Sequence, residues 1–122
     1  MSKKILIADD EPNIVISLEY LLQREGYRVE VARDGDEALQ VMQRGVPDLV
    51  LLDVMMPRLS GYDVCQKIRE NAAWSRTRIV MLTARGREIE VAKGLALGAD
   101  AYITKPFSTQ DLLAQVRAQL ER

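Results

Sequence analysis

Histidine is absent from this chain of 122 residues, and cysteine occurs once, as Cys65. The lack of histidine excludes Ser-His and Cys-His nucleophile pairs, imidazole-ligated metals and a phosphohistidine formed on the chain itself. A single cysteine excludes an internal disulfide and is typical of a reducing compartment. Its position in an apolar helical stretch predicts a buried, unreactive thiol. Any chemistry must therefore use carboxylates, hydroxyls and lysine.

Long apolar runs and a charge excess are also missing. No run approaches the ~20 residues of a membrane-spanning helix, and no small-residue cleavage site follows the N-terminal apolar run. The formal net charge is −1, from 17 basic and 18 acidic residues. The chain therefore lacks the excess of positive charge that is typical of proteins that bind nucleic acid. We expect a cytoplasmic domain that binds neither membranes nor nucleic acid directly. The length suits one domain, residues 1–122, with no output domain in the chain.

The most informative segment is the apolar run Leu49–Leu52, which ends in Asp53 and is followed by Pro57. A continuous apolar run of this length is typical of a strand buried on both faces, as in a parallel sheet covered by helices. The carboxyl ends of such strands are where open α/β sheets bind their ligands. The run therefore predicts that Asp53 lies at a functional edge.

Strand-like and helix-like patterns alternate five times along the chain. The strand patterns cover residues 5–8, 27–32, 49–53, 79–83 and 101–103. Capping signals precede three of the helices, at Asp34 with Glu37, Ser60 with Asp63, and Ser108 with Asp111. Such alternation predicts an α/β fold in which right-handed crossovers join parallel strands into one doubly wound (βα)5 domain.

Polar residues follow four of the predicted strands: Asp9 and Asp10, Asp53, Thr83, and Lys105. Because parallel strands end at a common edge, three carboxylates would converge there and repel one another. A hard divalent cation such as Mg²⁺ relieves that repulsion, while a lysine and a hydroxyl suit phosphoryl oxygens. Each residue alone also has an ordinary explanation as a helix cap, a strand end or a turn. Together they indicate metal-dependent phosphoryl transfer onto a carboxylate.

Over its whole length the chain resembles the receiver domain of bacterial two-component response regulators. The resemblance is carried by Asp9-Asp10, the run Leu52–Pro57, Gly61, Thr83-Ala84, Gly98-Ala99-Asp100, Tyr102 and Lys105-Pro106-Phe107. It implies a flavodoxin-like fold with a five-stranded parallel sheet of order 2-1-3-4-5. It also implies that Asp53 accepts a phosphoryl group from a phosphohistidine on a sensor histidine kinase or a histidine phosphotransfer protein.

The resemblance further implies a ligand set for Mg²⁺, for which Mn²⁺ can substitute: Asp9, Asp10, Asp53 and the backbone carbonyl of Met55. Lys105 would pair with the phosphoryl group, and its bond to Pro106 would be cis. Thr83 and Tyr102 would then change position, switching the face of helix four, strand five and helix five for a downstream protein partner. The remaining implied positions, Pro57, Gly61 and Pro106, would be structural.

The oligomeric state remains open at this point. Receivers of DNA-binding regulators usually dimerise through that face with charged residues at positions that here hold Ala101, Val91 and Gln115. Other charged residues remain nearby, so a phosphorylation-dependent homodimer can still form: Asp100, Lys93, Asp111 and Arg117. We favour a stand-alone receiver acting through partner binding. The alternative is the receiver portion of a longer DNA-binding response regulator.

Two other classes of protein share parts of this pattern. An aspartyl-nucleophile phosphohydrolase usually has a general acid two residues after its nucleophile, where this chain has Met55. A flavodoxin-like FMN carrier needs a first loop that binds phosphate, which Asp9-Asp10-Glu11 would repel. Both are therefore remote alternatives. Bulky Met55 and Arg85, which border the route of the hydrolytic water in the family, also suggest slow loss of the phosphoryl group.

Overall fold

Strands and helices alternate along the chain as the sequence pattern predicts, in a computed structural model that describes residues 2–84 and 88–121. The strands are β1 (Lys4–Ala8), β2 (Arg28–Ala32), β3 (Leu49–Asp53), β4 (Arg78–Ala84) and β5 (Ala101–Lys105). The helices are α1 (Pro12–Arg24), α2 (Gly35–Arg44), α3 (Gly61–Glu70), α4 (Glu88–Ala96) and α5 (Thr109–Leu120). A short 3-10 helix, Ala72–Trp74, lies between α3 and β4.

The five strands form one parallel sheet of order β2-β1-β3-β4-β5. This confirms the predicted fold class and strand order. β2 is an edge strand, in agreement with the alternation of Val29-Glu30-Val31. β1 and β3 are central, so the carboxyl ends that carry the predicted acids lie side by side.

Two helical layers bury the sheet on both faces. On one face, Val50 and Leu52 of β3 belong to the core formed with α2 and α3. On the other, Leu49 and Leu51 belong to the core formed with α1 and α5. Every residue of β3 is buried, which explains why this strand has a continuous apolar sequence ending in one acid. Cys65 of α3 is fully buried, as predicted, and burial raises the pKa of its thiol.

The predicted helix caps are present. Ser60 and Asp63 form a complete capping box at α3, and the Ser108 hydroxyl accepts a hydrogen bond from the Asp111 amide at α5. At α2 the Asp34 side chain accepts a hydrogen bond from the Glu37 amide. These bonds satisfy helix amides that have no partner within the helix.

The connection after α3 contains the short 3-10 helix. The side chain of Asn71 accepts a hydrogen bond from the Ala73 amide at 2.9 Å and starts the 3-10 helix. Trp74 is partly buried against the core on the α2 and α3 face. Within residues 2–84 and 88–121, no helix is long and apolar enough to cross a membrane.

Candidate functional site

The carboxyl ends of β1 and β3 bring three carboxylates together. Oxygen atoms of Asp9, Asp10 and Asp53 all lie within 4.8 Å of one another. Asp9 and Asp53 are buried, whereas Asp10 is exposed. Three hard oxygen donors at this spacing, open to solvent on one side, fit a divalent cation that keeps some of its waters.

Asp9 is held by hydrogen bonds on both of its carboxylate oxygens. Its Oδ1 accepts a hydrogen bond from the Glu11 amide at 2.9 Å, and its Oδ2 accepts one from Lys105 Nζ at 2.8 Å. Because Asp9 is fully buried, these bonds compensate for the loss of water around its charge. Its position is therefore fixed by the β1–α1 turn and by β5.

Asp53 is the last residue of β3 and is only 5% exposed. Its Oδ1 accepts a hydrogen bond from the Met55 amide at 3.2 Å and lies 3.5 Å from Lys105 Nζ. Burial raises the pKa of Asp53 to about 6, with further contributions from the negative charges of Asp9 and, more weakly, Asp10. The charge of Lys105 and the hydrogen bond from the Met55 amide oppose this increase. A bound cation would offset the negative charges of Asp9 and Asp10, and so would remove the part of the pKa increase that they cause.

Lys105 is the cation of the site. Burial by itself would lower its pKa, but hydrogen bonds to Asp9 and Glu11 and the charges of Asp53 and Asp9 raise it to about 12. Lys105 is therefore protonated at any ordinary pH. The bond from Lys105 to Pro106 is cis, as the resemblance implied.

Thr83 lies at the end of β4, between the strands that carry Asp53 and Lys105. It is 2% exposed, and its Oγ1 has no hydrogen-bond partner among the described residues. A buried hydroxyl without a partner is costly, so this atom is suited to a ligand oxygen. Tyr102 is 44% exposed on β5, beside Met81 of β4.

The loop between β3 and α3 holds the acceptor strand against α3. A Cβ added at Gly61 would collide with the backbone carbonyl of Asp53, so the structural role implied for Gly61 has a steric basis. Pro57 is exposed in this loop. Arg58 has a φ of 69°, a left-handed conformation that is uncommon for residues other than glycine. The second residue implied to slow phosphoryl loss, Arg85, lies outside the described residues, whereas the side chain of Met55 is 65% exposed.

Two contacts of the site and its surroundings were not predicted from the sequence. Glu11 Oε1 accepts a hydrogen bond from Lys105 Nζ at 2.9 Å. Asp100 Oδ2 accepts hydrogen bonds from Arg69 and from the Ile79 amide, each at 2.8 Å. The acid Glu11 directly after Asp9-Asp10 was a usable signal for the first contact, but no local pattern pointed to the second.

Three of the charged residues that could pair between the two chains of a dimer already have contacts within their own chain. Asp100 is paired with Arg69, the ammonium of Lys93 lies 4.4 Å from the ring centre of Tyr62, and Arg117 lies 3.5 Å from Glu25. Pairing between chains through these three residues would have to replace these contacts.

Comparison with known proteins agrees with the geometry. A family model described as "Response regulator receiver domain" matches residues 5–117. The alkaline phosphatase synthesis transcriptional regulatory protein PhoP of Bacillus subtilis is 48% identical over 122 residues, which are 100% of this chain and 50% of that protein. The chain thus spans about half the length of this relative.

Solved structures give the same result. A protein from Chloroflexus aurantiacus superimposes with a TM-score of 0.97 at 35% identity, covering 100% of both chains. A BeF3-activated DrrB receiver domain superimposes with a TM-score of 0.89 at 38% identity, also covering 100% of both chains.

The chain therefore belongs to the response regulator receiver domain family. Its class is a phosphorylation switch of two-component signalling rather than a conventional enzyme, with a histidine kinase as the implied partner. The acidic cluster of Asp9, Asp10 and Asp53 is consistent with the divalent metal site typical of this family.

Proposed function

We propose that residues 1–122 form a phosphoacceptor domain in which Asp53 receives a phosphoryl group from a phosphohistidine on a partner protein. The observation that carries this proposal is the buried carboxylate of Asp53 placed between two acids and a lysine. The chain has no histidine, so the donor must be another molecule. The partner would be a sensor histidine kinase or a histidine phosphotransfer protein.

The reaction is an in-line displacement at phosphorus. A carboxylate oxygen of Asp53 forms the new P–O bond while the P–N bond to the donor imidazole breaks, and the leaving imidazole keeps the electron pair. Lys105 supplies positive charge beside the phosphoryl oxygens, and the Thr83 hydroxyl is a donor at the same edge. Mg²⁺ held by Asp9, Asp10, Asp53 and the Met55 carbonyl would neutralise the negative charge that otherwise opposes the approach of a phosphate.

The proposed switch runs from Thr83 to the face formed by α4, β5 and α5. The Thr83 hydroxyl has no partner among the described residues, so a hydrogen bond to the phosphoryl group would satisfy it and move it toward Asp53. Tyr102, which lies on the neighbouring strand and is exposed, can then turn inward into the space released. Its ring now borders a groove of about 1080 Å³ between β5 and α5 that would change shape with it.

The readout of this switch is a downstream protein partner. The PhoP relative is a transcriptional regulatory protein and this chain matches half of it, which supports the alternative of a receiver portion within a longer DNA-binding regulator. A phosphorylation-dependent homodimer is compatible with either arrangement. In each case the domain itself is proposed to act on proteins and not on nucleic acid, in keeping with its balanced charge.

The proposal is tested with a set of histidine kinase cores that have been autophosphorylated with radioactive ATP. We expect at least one to pass its label to this protein in Mg²⁺ and to fail in EDTA. Absence of transfer from every kinase, together with steady turnover of p-nitrophenyl phosphate, would instead indicate the phosphohydrolase. Met55 stands where such an enzyme usually has its general acid, so we expect no turnover.

A further inference from the structure

Three carboxylates compete for the ammonium group of Lys105. Its Nζ donates hydrogen bonds to Asp9 Oδ2 at 2.8 Å and to Glu11 Oε1 at 2.9 Å, whereas Asp53 Oδ1 lies farther away, at 3.5 Å. An ammonium group has three N–H donors. Two of them are thus taken by residues of the turn between β1 and α1 and not by the proposed acceptor.

The two residues that hold the ammonium differ in how readily they can release it. The Asp9 side chain is fully buried and uses its other oxygen for the Glu11 amide. The Glu11 side chain is 58% exposed, so water can replace its bond to Lys105 at small cost. The bond to Glu11 is therefore the one that can break when a new anion arrives.

The backbone fixes Glu11 in this position. Glu11 is the N-cap residue of α1, with extended backbone angles, and its amide is bonded to Asp9. Its side chain makes no capping bond to the helix and extends to Lys105 instead. Pro12 follows as the first helical residue and restricts the turn further.

We infer that Glu11 is a positioning residue that holds Lys105 toward the β1–α1 turn until Asp53 carries a phosphoryl group, and then releases it. This inference rests on the proposed function. A phosphoryl group on Asp53 offers Lys105 an anion with more charge than a carboxylate, so the ammonium exchanges Glu11 for a phosphoryl oxygen. In the unmodified protein Glu11 therefore opposes the transfer, because its bond to Lys105 must be broken first.

The consequence is that removing the charge of Glu11 accelerates phosphorylation. An exposed ion pair of this kind accounts for about a two- to fivefold change in an equilibrium or rate. Glu11→Gln is expected to raise the initial rate of labelling by acetyl phosphate in Mg²⁺ by about this factor. Glu19→Gln, on the same helix, is the charge-matched control and should label like the unaltered protein.

A cycle of variants separates release of Lys105 from general electrostatics. Glu11→Gln is measured both alone and combined with Lys105→Met, using a radioactive donor so that slow labelling can be followed. The gain is expected to vanish when Lys105 is replaced. A gain that persists without Lys105, a gain matched by Glu19→Gln, or an unchanged or slower rate for Glu11→Gln would each overturn the inference. Failure of the unaltered protein to label, both from acetyl phosphate and from every phosphorylated histidine kinase, would instead overturn the proposed function.

Discussion

The ammonium group of Lys105, at the end of β5, lies 3.5 Å from Oδ1 of Asp53, at the end of β3. These strands are not neighbours, since β4 lies between them. The long lysine side chain therefore reaches across the tip of β4 to the acceptor strand. The ammonium of Lys105 serves Asp9, Glu11 and Asp53, so negative charge exceeds positive charge at this site.

This arrangement predicts that Asp53 destabilises the unmodified fold at neutral pH. Its pKa rises from 3.8 to about 6 on folding. Between these pH values the folded protein keeps a proton that the unfolded chain has lost. The contribution of Asp53 to the free energy of unfolding therefore falls as the pH rises through this range and is constant above it. Asp53→Asn should raise the free energy of unfolding at pH 7 by up to about 3 kcal/mol.

Urea denaturation in EDTA measures this effect. The difference between Asp53→Asn and the unaltered protein should shrink toward zero as the pH approaches about 4. Glu19→Gln provides a control that removes one negative charge elsewhere on the surface. If Asp53→Asn were less stable than the unaltered protein at pH 7, burial of an unfavourable charge at this position would be refuted.

The acidic cluster predicts that Mg²⁺ stabilises the folded protein. A ligand present at ten times its dissociation constant adds about 1.4 kcal/mol, because it binds the folded state alone. Thermal unfolding with Mg²⁺, at constant ionic strength, should show this increase. Asp10→Asn should reduce it strongly, whereas Asp36→Asn, an exposed acid on α2, should leave it intact. Equal stabilisation of both variants would mean that the ion acts elsewhere.

The buried hydroxyl of Thr83 predicts opposite effects in the two states of the domain. Because Oγ1 has no partner among the described residues, Thr83→Val should change the stability of the unmodified protein by less than about 1 kcal/mol or increase it. The same change should weaken the stabilisation produced by beryllofluoride with Mg²⁺, measured by thermal unfolding. Thr83→Ser keeps the hydroxyl and should retain that stabilisation. Full stabilisation of the valine variant would argue against a hydrogen bond from Thr83 to the bound group.

The contacts of Arg69 predict that this residue stabilises the fold at a place distant from Asp53. It donates hydrogen bonds to the Gly98 carbonyl and to Asp100, each at 2.8 Å, and so joins α3 to the turn before β5. Arg69→Met should lower the free energy of unfolding by about 1 to 3 kcal/mol, since it removes partly buried charged hydrogen bonds. Arg44→Met removes an exposed pair with Glu30 and should cost less than about 1 kcal/mol. The two variants are compared by urea titration. If both lost a similar free energy of unfolding, Arg69 would contribute no more to stability than an exposed ion pair does.

Much of the fold follows from local patterns in the sequence. The run Leu49–Asp53 predicted a strand buried on both faces, and the structure buries all five of its residues. Apolar periodicity and capping residues predicted the helices. The capping pair Ser60 and Asp63 could be recognised because these residues interact within one helical turn. The strand ends gave the convergence of Asp9, Asp10 and Asp53, because parallel strands share a common edge.

The contacts that sequence reasoning missed join residues far apart in the chain. Lys105 was expected at the site, but its bond to Glu11 depends on the rotamers of both side chains. Asp100 was expected to remain for charged pairing between chains, although the structure pairs it with Arg69 within the chain. The left-handed backbone of Arg58 was also missed, because arginine rarely adopts it and gives no local signal.

The most direct test of the account is to identify the residue that carries the phosphoryl group. Incorporation is measured after incubation with radioactive acetyl phosphate and Mg²⁺. In a parallel sample with unlabelled acetyl phosphate, tritiated borohydride reduces the acyl phosphate, which releases phosphate and leaves a labelled homoserine in place of the modified aspartate, and mass spectrometry locates that residue. We predict one modified residue, Asp53, and no labelling of Asp53→Asn, while Asp36→Asn labels normally. Undiminished labelling of Asp53→Asn, or label on another residue of the unaltered protein, would contradict the account.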